Sequence, residues 1–399
     1  MKISKNFGML FGSGISTPAK LPNTKDITSR ILSGKEILKH TDGTYYLEHN
    51  VDPGETAYFT VPVLRCVLIL RRLLIEIERF YLYEPKFEAN YEDLYYLCVQ
   101  MHDHFLFEYE NPIIHAFIER INQDIEKIRH HFSDDSSNQW ERYQLFSEAM
   151  NYIKDVTWRM LLREPENNEY LDFIYDISKD PKINTINIYT LNHDTLIEGY
   201  LIAKGLNYAD GFGKPANNIR YWENGLLKYT KEKINIFKLH GSINWFQFPP
   251  NDISPYPEAV GIPLGNDIWH QTSPSGNPQH AYGGRPIILA GIFNKMLDYT
   301  VSIFADLHCL FRESLRGLDR LIISGYGFRD KGINSQIVEW MHQKDNNSII
   351  LIHPNPNRCK MDSRGVIIKH WDYWKQNNRL KIISCGIEDI NWPDIKKLL

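Results

Sequence analysis

A chain of 399 residues with 43% hydrophobic and 24% charged content is globular, and long enough for one large domain or two smaller ones. Its formal net charge of −4 argues against a general affinity for nucleic acid, and direct nucleic-acid binding is not expected. The 5 cysteines lie far apart with no Cys-x-x-Cys pair, which excludes a four-cysteine zinc ribbon and suits a reducing cytoplasm.

The first element is an apolar run from Phe7 to Phe11, which reads as a buried strand. Met1 to Asn6 lead straight into it, so no signal peptide is expected. The run breaks into Gly12-Ser13-Gly14-Ile15-Ser16, and a helix-compatible stretch from Asp26 to Leu32 follows. Glycines at such a break let the backbone turn sharply and approach a ligand, with amides beyond it aimed at phosphate oxygens. Gly-x-Gly without a third glycine is a weak signal alone, so matching strand ends must support it. Residues 35–55 are polar and turn-rich, with Asp42-Gly43 and Asp52-Pro53-Gly54.

From Val61 to Arg163 the periodicity becomes helical. Val63, Leu64, Val67, Leu68, Leu70, Leu74, Ile75 and Ile77 line one face opposite arginines and glutamates. Tyr91 to Glu108, Pro112 to His131 and Gln139 to Arg163 continue the pattern, with Ser133 to Ser137 as a linker. Residues 55–170 therefore read as a helical insertion dividing an α/β domain made of 1–54 and 171–399. His102 with His104, and His130 with His131, invite a metal reading. Residues two apart on a helix point away from each other, and no cysteine or carboxylate completes a set, so ordinary histidines are expected. No membrane span is expected, because the apolar run Cys66 to Leu70 meets Arg71-Arg72 far short of the ~20 residues a bilayer needs.

Strand and helix alternate again from Ile183. A strand over Ile183 to Thr190 ends in Thr190-Leu191-Asn192-His193-Asp194 and precedes a helix over Thr195 to Lys204. Polar residues at the carboxyl end of such a strand are where ligands sit in open α/β sheets, although Asn192 and Asp194 equally suit helix capping. Tyr208 to Tyr229 read as a hairpin or loop. A strand over Ile234 to Leu239 then ends in His240-Gly241, which would project the imidazole into a cleft. Residues 249–286 are rich in Pro, Gly, Ser and Asn and read as a long binding loop or lid. A strand over Pro286 to Ala290, a helix over Asp298 to Arg316, and a strand ending in Ser324-Gly325-Tyr326-Gly327 follow. The helix Ile333 to His342, the strand Ser348 to Ile352 ending in His353-Pro354-Asn355, and a last strand over Leu380 to Ser384 complete the chain.

Taken in order, Gly12-Ser13-Gly14-Ile15-Ser16-Thr17, Pro22-Asn23, Thr190 to Asp194, Leu239-His240-Gly241, Arg285-Pro286, Ser324 to Gly327 and Ile352 to Asn355 resemble the sirtuin family. The resemblance covers residues 7 to 360 apart from the helical insertion. It implies a Rossmann-like parallel sheet that binds NAD. Gly12, Ser13, Gly14 and Ser16 would cradle the phosphates, Thr190, Asn192 and Asp194 would meet the nicotinamide ribose, and His240 would be the general base. Ser324, Gly325 and Asn355 would hold the adenosine half.

Three departures sharpen the expectation. The zinc ribbon of deacylating sirtuins is replaced by 249–286, so no zinc is expected. Asn23-Thr24-Lys25 stand where the family has Asp-Phe-Arg, and the helical insertion exceeds the family's smaller excursion. The chain is thus similar to bacterial sirtuin-like effectors of anti-phage defence, which hydrolyse NAD, and to the sirtuin-like subunits that pair with a HerA-like ATPase. That likeness implies a cytoplasmic NAD hydrolase with catalysis by Asn192 and His240, while the wide apolar stripes of helices such as Val61 to Phe80 lead to the expectation that the insertion builds a homo-oligomer. The rivals are a zinc-less deacylase or ADP-ribosyltransferase, and a sensor that holds NAD or ADP-ribose without turnover.

Overall fold

The computed structural model describes residues 6–48, 58–80, 88–108, 111–130, 140–251, 258–265 and 267–398. At its centre lies a seven-stranded sheet. Across the sheet the strands run Leu380–Ile383, Ser348–Ile352, Arg320–Ser324, Asn6–Phe11, Thr185–Thr190, Ile234–Lys238 and Tyr208–Ala209. Every neighbouring pair is parallel. Numbering the six longer strands in chain order gives 3-2-1-4-5-6, a Rossmann-like arrangement, with Tyr208–Ala209 added at one edge.

The strands are near-continuous apolar runs because helices cover both faces. Phe7, Met9 and Phe11 enter one core with the helices Asp172–Lys179 and Leu196–Ala203. Leu10 enters the opposite core with Ser302–Arg316, Lys331–Gln343 and Gly365–Gln376. Gly8 shares the Leu10 face, and a Cβ there would come within 2.3 Å of Leu318 Cδ1.

The loop expected over 249–286 is corrected in part. Ala259–Pro263 is a strand of a four-stranded antiparallel sheet with Pro286–Ile288, Gly241–Phe248 and Ile219–Tyr221. Short strands at Gln271–Thr272 and Pro278–Gln279 pair with each other. Polar and proline-rich composition hid these strands, whose apolar residues Ala259, Val260 and Ile262 are few but buried. The helix expected from Asp298 starts earlier and breaks, running Lys295–Asp298 and then Ser302–Arg316, because Ser302 takes a left-handed φ of 53°.

The helical region comprises Val61–Phe80, Tyr91–Phe105, Pro112–His130 and Arg142–Leu161. Asn23 and Asn90 each open a helix through a capping box, with Asp26 and Asp93 as the reciprocal acceptors. Ile114, Ile118, Ile121, Ile125 and Ile128 form one buried stripe at helical spacing. This core is continuous with Ile27 and Ile31 of the helix Thr24–Ser33, with the hairpin residues Ile37, Tyr45 and Leu47, and with Phe246 and Phe248 of the antiparallel sheet. The Asp52-Pro53-Gly54 turn, the linker Ser133 to Ser137 and His131 lie outside the described residues.

Candidate functional site

In such a sheet the order in which the chain lays down its strands reverses between the first strand and its neighbour Arg320–Ser324, and ligands of such sheets sit there. Two glycine turns meet at that point. Gly12 N donates to Ser324 O at 3.1 Å, and Gly14 N to Gly325 O at 3.0 Å. Gly325 has φ of 66°, and a Cβ on Gly12 would approach Gly325 O to 2.6 Å. These glycines therefore let two backbones touch, and with Ile15 N bonded to Gly12 O at 3.0 Å, three amides of the turn are spent inside the protein. Ser13 is exposed at its edge.

Ser16, Asn192 and Asp194 are buried and mutually bonded. Ser16 Oγ is 2.8 Å from Asp194 Oδ2 and 2.9 Å from Asn192 Nδ2. A carboxylate only accepts, so Ser16 donates to Asp194 and accepts from the Asn192 amide, which fixes the orientation of that amide. Asn192 Oδ1 is thereby the atom left to orient a water or ligand. Asp194 bonds at both of its oxygens. Its Oδ1 accepts from Leu196 N at 3.1 Å, while its Oδ2 holds Ser16. Thr190 is a turn residue, its Oγ1 accepting from Asn192 N at 3.1 Å. Lys238 donates to Asp194 O and pairs with Glu198 at 2.9 Å, bracing the same turn from the next strand.

His240 follows just past the end of the neighbouring strand Ile234–Lys238, where Leu239 N donates to Thr190 O at 2.9 Å. Gly241 turns the chain with φ of 81°, and its backbone lies so close to Ile287 that a Cβ would meet Ile287 O at 2.1 Å. The imidazole is 4% exposed, not open in a cleft. Its Nε2 lies 2.9 Å from Tyr299 Oη and 3.2 Å from Asp330 Oδ2. Burial holds this ring below the ordinary imidazole value, the Lys295 ammonium adds to that, and Asp330 opposes it. Burial pushes Asp330 upward, yet its bonds from His240 and Tyr299 and the Lys295 charge outweigh burial and hold the carboxyl below the usual range. His193, 6.4 Å away between ring centroids, is likewise kept neutral by burial and by its cationic neighbours.

Asn355 and Ser324 close the far side of the edge. Asn355 is exposed and caps the helix Pro356–Asp362 through Arg358 N at 3.0 Å. Ser324 is buried at the strand end.

Sequence reading missed Tyr299, Asp330 and Lys295. Asp330 carried one legible signal, a carboxylate just before the helix Lys331–Gln343, where its Oδ1 accepts from Ile333 N at 2.9 Å. Lys295 reaches Glu92 of the helical region at 2.7 Å. Phe293, Leu297 and Val301 on the same segment face solvent, at 48%, 70% and 60% exposure. Among the described residues, no group of three or more His, Cys, Asp or Glu side chains is placed to hold a metal ion. No described helix is long and apolar enough to cross a membrane. Comparison of the chain with protein-family models and with curated proteins returns no match in either.

Proposed function

We propose that this chain is a sirtuin-like NAD hydrolase that cleaves the bond between nicotinamide and ribose and depletes NAD in bacterial anti-phage defence. The observation that carries the reading is the hydrogen-bonded set Ser16, Asn192 and Asp194 beyond the ends of the first strand and Thr185–Thr190, with His240 just past the end of the adjacent strand Ile234–Lys238, next to the switch point of a 3-2-1-4-5-6 sheet, where dinucleotides bind in folds of this order. In the reaction, the C1′–N bond breaks and its electron pair leaves with neutral nicotinamide. Positive charge spreads onto the ribose ring, as in other glycosidic cleavages, and a water oxygen bonds to C1′. Asn192 Oδ1 would orient that water. His240, uncharged near neutrality, would take the proton the water loses, and the products are nicotinamide and ADP-ribose.

The proposal extends to assembly. Leu64, Leu68 and Ile75 are 44%, 37% and 50% exposed at helical spacing on Val61–Phe80, which supports a homo-oligomer, and a HerA-like ATPase is the proposed partner. The deciding assay follows nicotinamide release from NAD by the purified chain, with and without an acylated peptide. Release without peptide supports hydrolysis. Release only with peptide would favour deacylation, and binding of NAD without release would favour a sensor.

A further inference from the structure

His240 is held by an arrangement that defines which of its nitrogens can act as a base. Asp330 Oδ2 and Tyr299 Oη both lie on the Nε2 side, at 3.2 and 2.9 Å. Tyr299 Oη is itself 2.5 Å from Asp330 Oδ2. An ionised carboxylate only accepts, so the tyrosine hydroxyl donates to Asp330 and its oxygen is turned toward Nε2 as an acceptor. Both neighbours of Nε2 therefore ask it for a proton. In a neutral imidazole the other nitrogen, Nδ1, then carries the lone pair.

The supports of this arrangement are rigid. Asp330 is anchored by its second oxygen to Ile333 N at 2.9 Å, at the start of a 13-residue helix. The Tyr299 ring stacks on His308 with centroids 3.7 Å apart, and His308 Nε2 lies 3.2 Å from Leu239 O, the carbonyl just before His240. Among the described residues, Lys295, His193 and His308 also act on the ring, with Glu92 paired to Lys295.

We infer that Asp330 is a positioning residue that, with Tyr299, holds His240 as the Nε2–H tautomer and makes Nδ1 the proton acceptor of the site. The identity of the proton donor, a water or a ribose hydroxyl, rests on the hydrolase reading above. The tautomer does not. The arrangement is the mirror of the familiar one in which a carboxylate binds Nδ1–H and leaves Nε2 as the base.

Asp330→Asn is the informative substitution, because asparagine also caps helices well and so preserves the start of Lys331–Gln343 while removing the charge. The full chain, labelled with 15N at histidine, is examined by NMR at neutral pH, with His240→Gln identifying the His240 signals. The expected wild-type pattern is a protonated, pyrrole-type Nε2 and an unprotonated Nδ1, and Asp330→Asn should mix the two tautomers. Nicotinamide release should fall by about 10²-fold or more in Asp330→Asn, mostly in kcat. The acid limb of the activity profile should move to lower pH, since the carboxylate that raises the His240 pKa is gone. Tyr299→Phe, which keeps the stack on His308, should show a smaller loss of the same kind. A wild-type Nδ1–H tautomer overturns the inference, as does an Asp330→Asn protein with unchanged tautomer and rate. The expected tautomers in a protein that releases no nicotinamide would sustain the positioning role and remove the hydrolase reading.

Discussion

Arg285 grips Asp155 through two parallel hydrogen bonds, Nε to Oδ1 and Nη2 to Oδ2, each 2.9 Å long. Asp155 is fully buried on the helix Arg142–Leu161, and its Oδ2 also accepts from Tyr45 N at 2.9 Å. One carboxylate thus joins the helical region, the hairpin and the strand that follows Arg285. Burial pushes the Asp155 pKa up to about 6, even with the guanidinium pulling it down.

Removing the guanidinium leaves an uncompensated buried carboxyl. Arg285→Ala should lower stability by about 3–5 kcal/mol, the range for breaking a buried pair from one side. Adding Asp155→Asn removes the charge, keeps an acceptor for Tyr45 N, and should recover most of the loss. Urea unfolding of the single and double variants measures both. A single-variant cost below about 1 kcal/mol would show that the pair does not hold these elements together.

If the chain hydrolyses NAD as proposed, His240→Ala and Asn192→Ala should each reduce nicotinamide release by about 10²-fold or more, the lower end for a positioned acid–base group. Both side chains are buried among polar partners at strand ends and not in the apolar cores. The variants should therefore keep the wild-type circular dichroism spectrum. Rates within a few-fold of wild type for both would remove these residues from the chemistry.

Stability should decline on mild acidification. Burial keeps His193, His240 and His308 below the ordinary imidazole value, His308 down to about 4. In the unfolded chain these rings take up protons near pH ~6.5, while the folded chain leaves them neutral. Below that pH the unfolded state binds more protons, so stability falls as pH falls. For His308 the loss runs from about pH 6.5 down to about 4 and reaches on the order of 3 kcal/mol. Denaturant unfolding at a series of pH values checks the sign, and His308→Gln should flatten part of the slope. Asp155, whose raised pKa acts in the opposite sense, is taken out by making the comparison in the Asp155→Asn background, and a His308→Gln slope equal to that of the parent would contradict the burial of His308.

Gly325→Ala should cost more than a loop substitution ordinarily does. Its φ of 66° already disfavours a side chain, and a Cβ would lie 2.4 Å from Ile15 N and 2.7 Å from Gly12 O. Backbone atoms cannot rotate aside as a side chain can, so the two turns must separate. The expected result is a loss of at least ~2 kcal/mol in thermal or urea unfolding and, on the hydrolase reading proposed above, loss of NAD binding by calorimetry. Unchanged stability would mean that the turns are not in contact.

The sequence alone determined the alternation of elements and the positions where strands end. Runs such as Phe7 to Phe11 and Ser348 to Ile352 are apolar over their own length, and that signal is local. The helical periodicity of 61–163 was legible for the same reason, as was the polar character of Asn192, Asp194 and His240 at strand ends. The strands between 249 and 286 escaped because their few apolar residues are buried by a sheet whose other members lie elsewhere in the chain. Only the tertiary structure decided which groups meet. Ser16 and Asp194 are separated by 178 residues, and Tyr299 by 59 from His240. Sheet order brings them together, and that order depends on which helices cover which face. It also decided what the glycines of the first turn do: Gly12 and Gly14 have no side chain because Gly325 lies against them, a contact that neither segment encodes by itself.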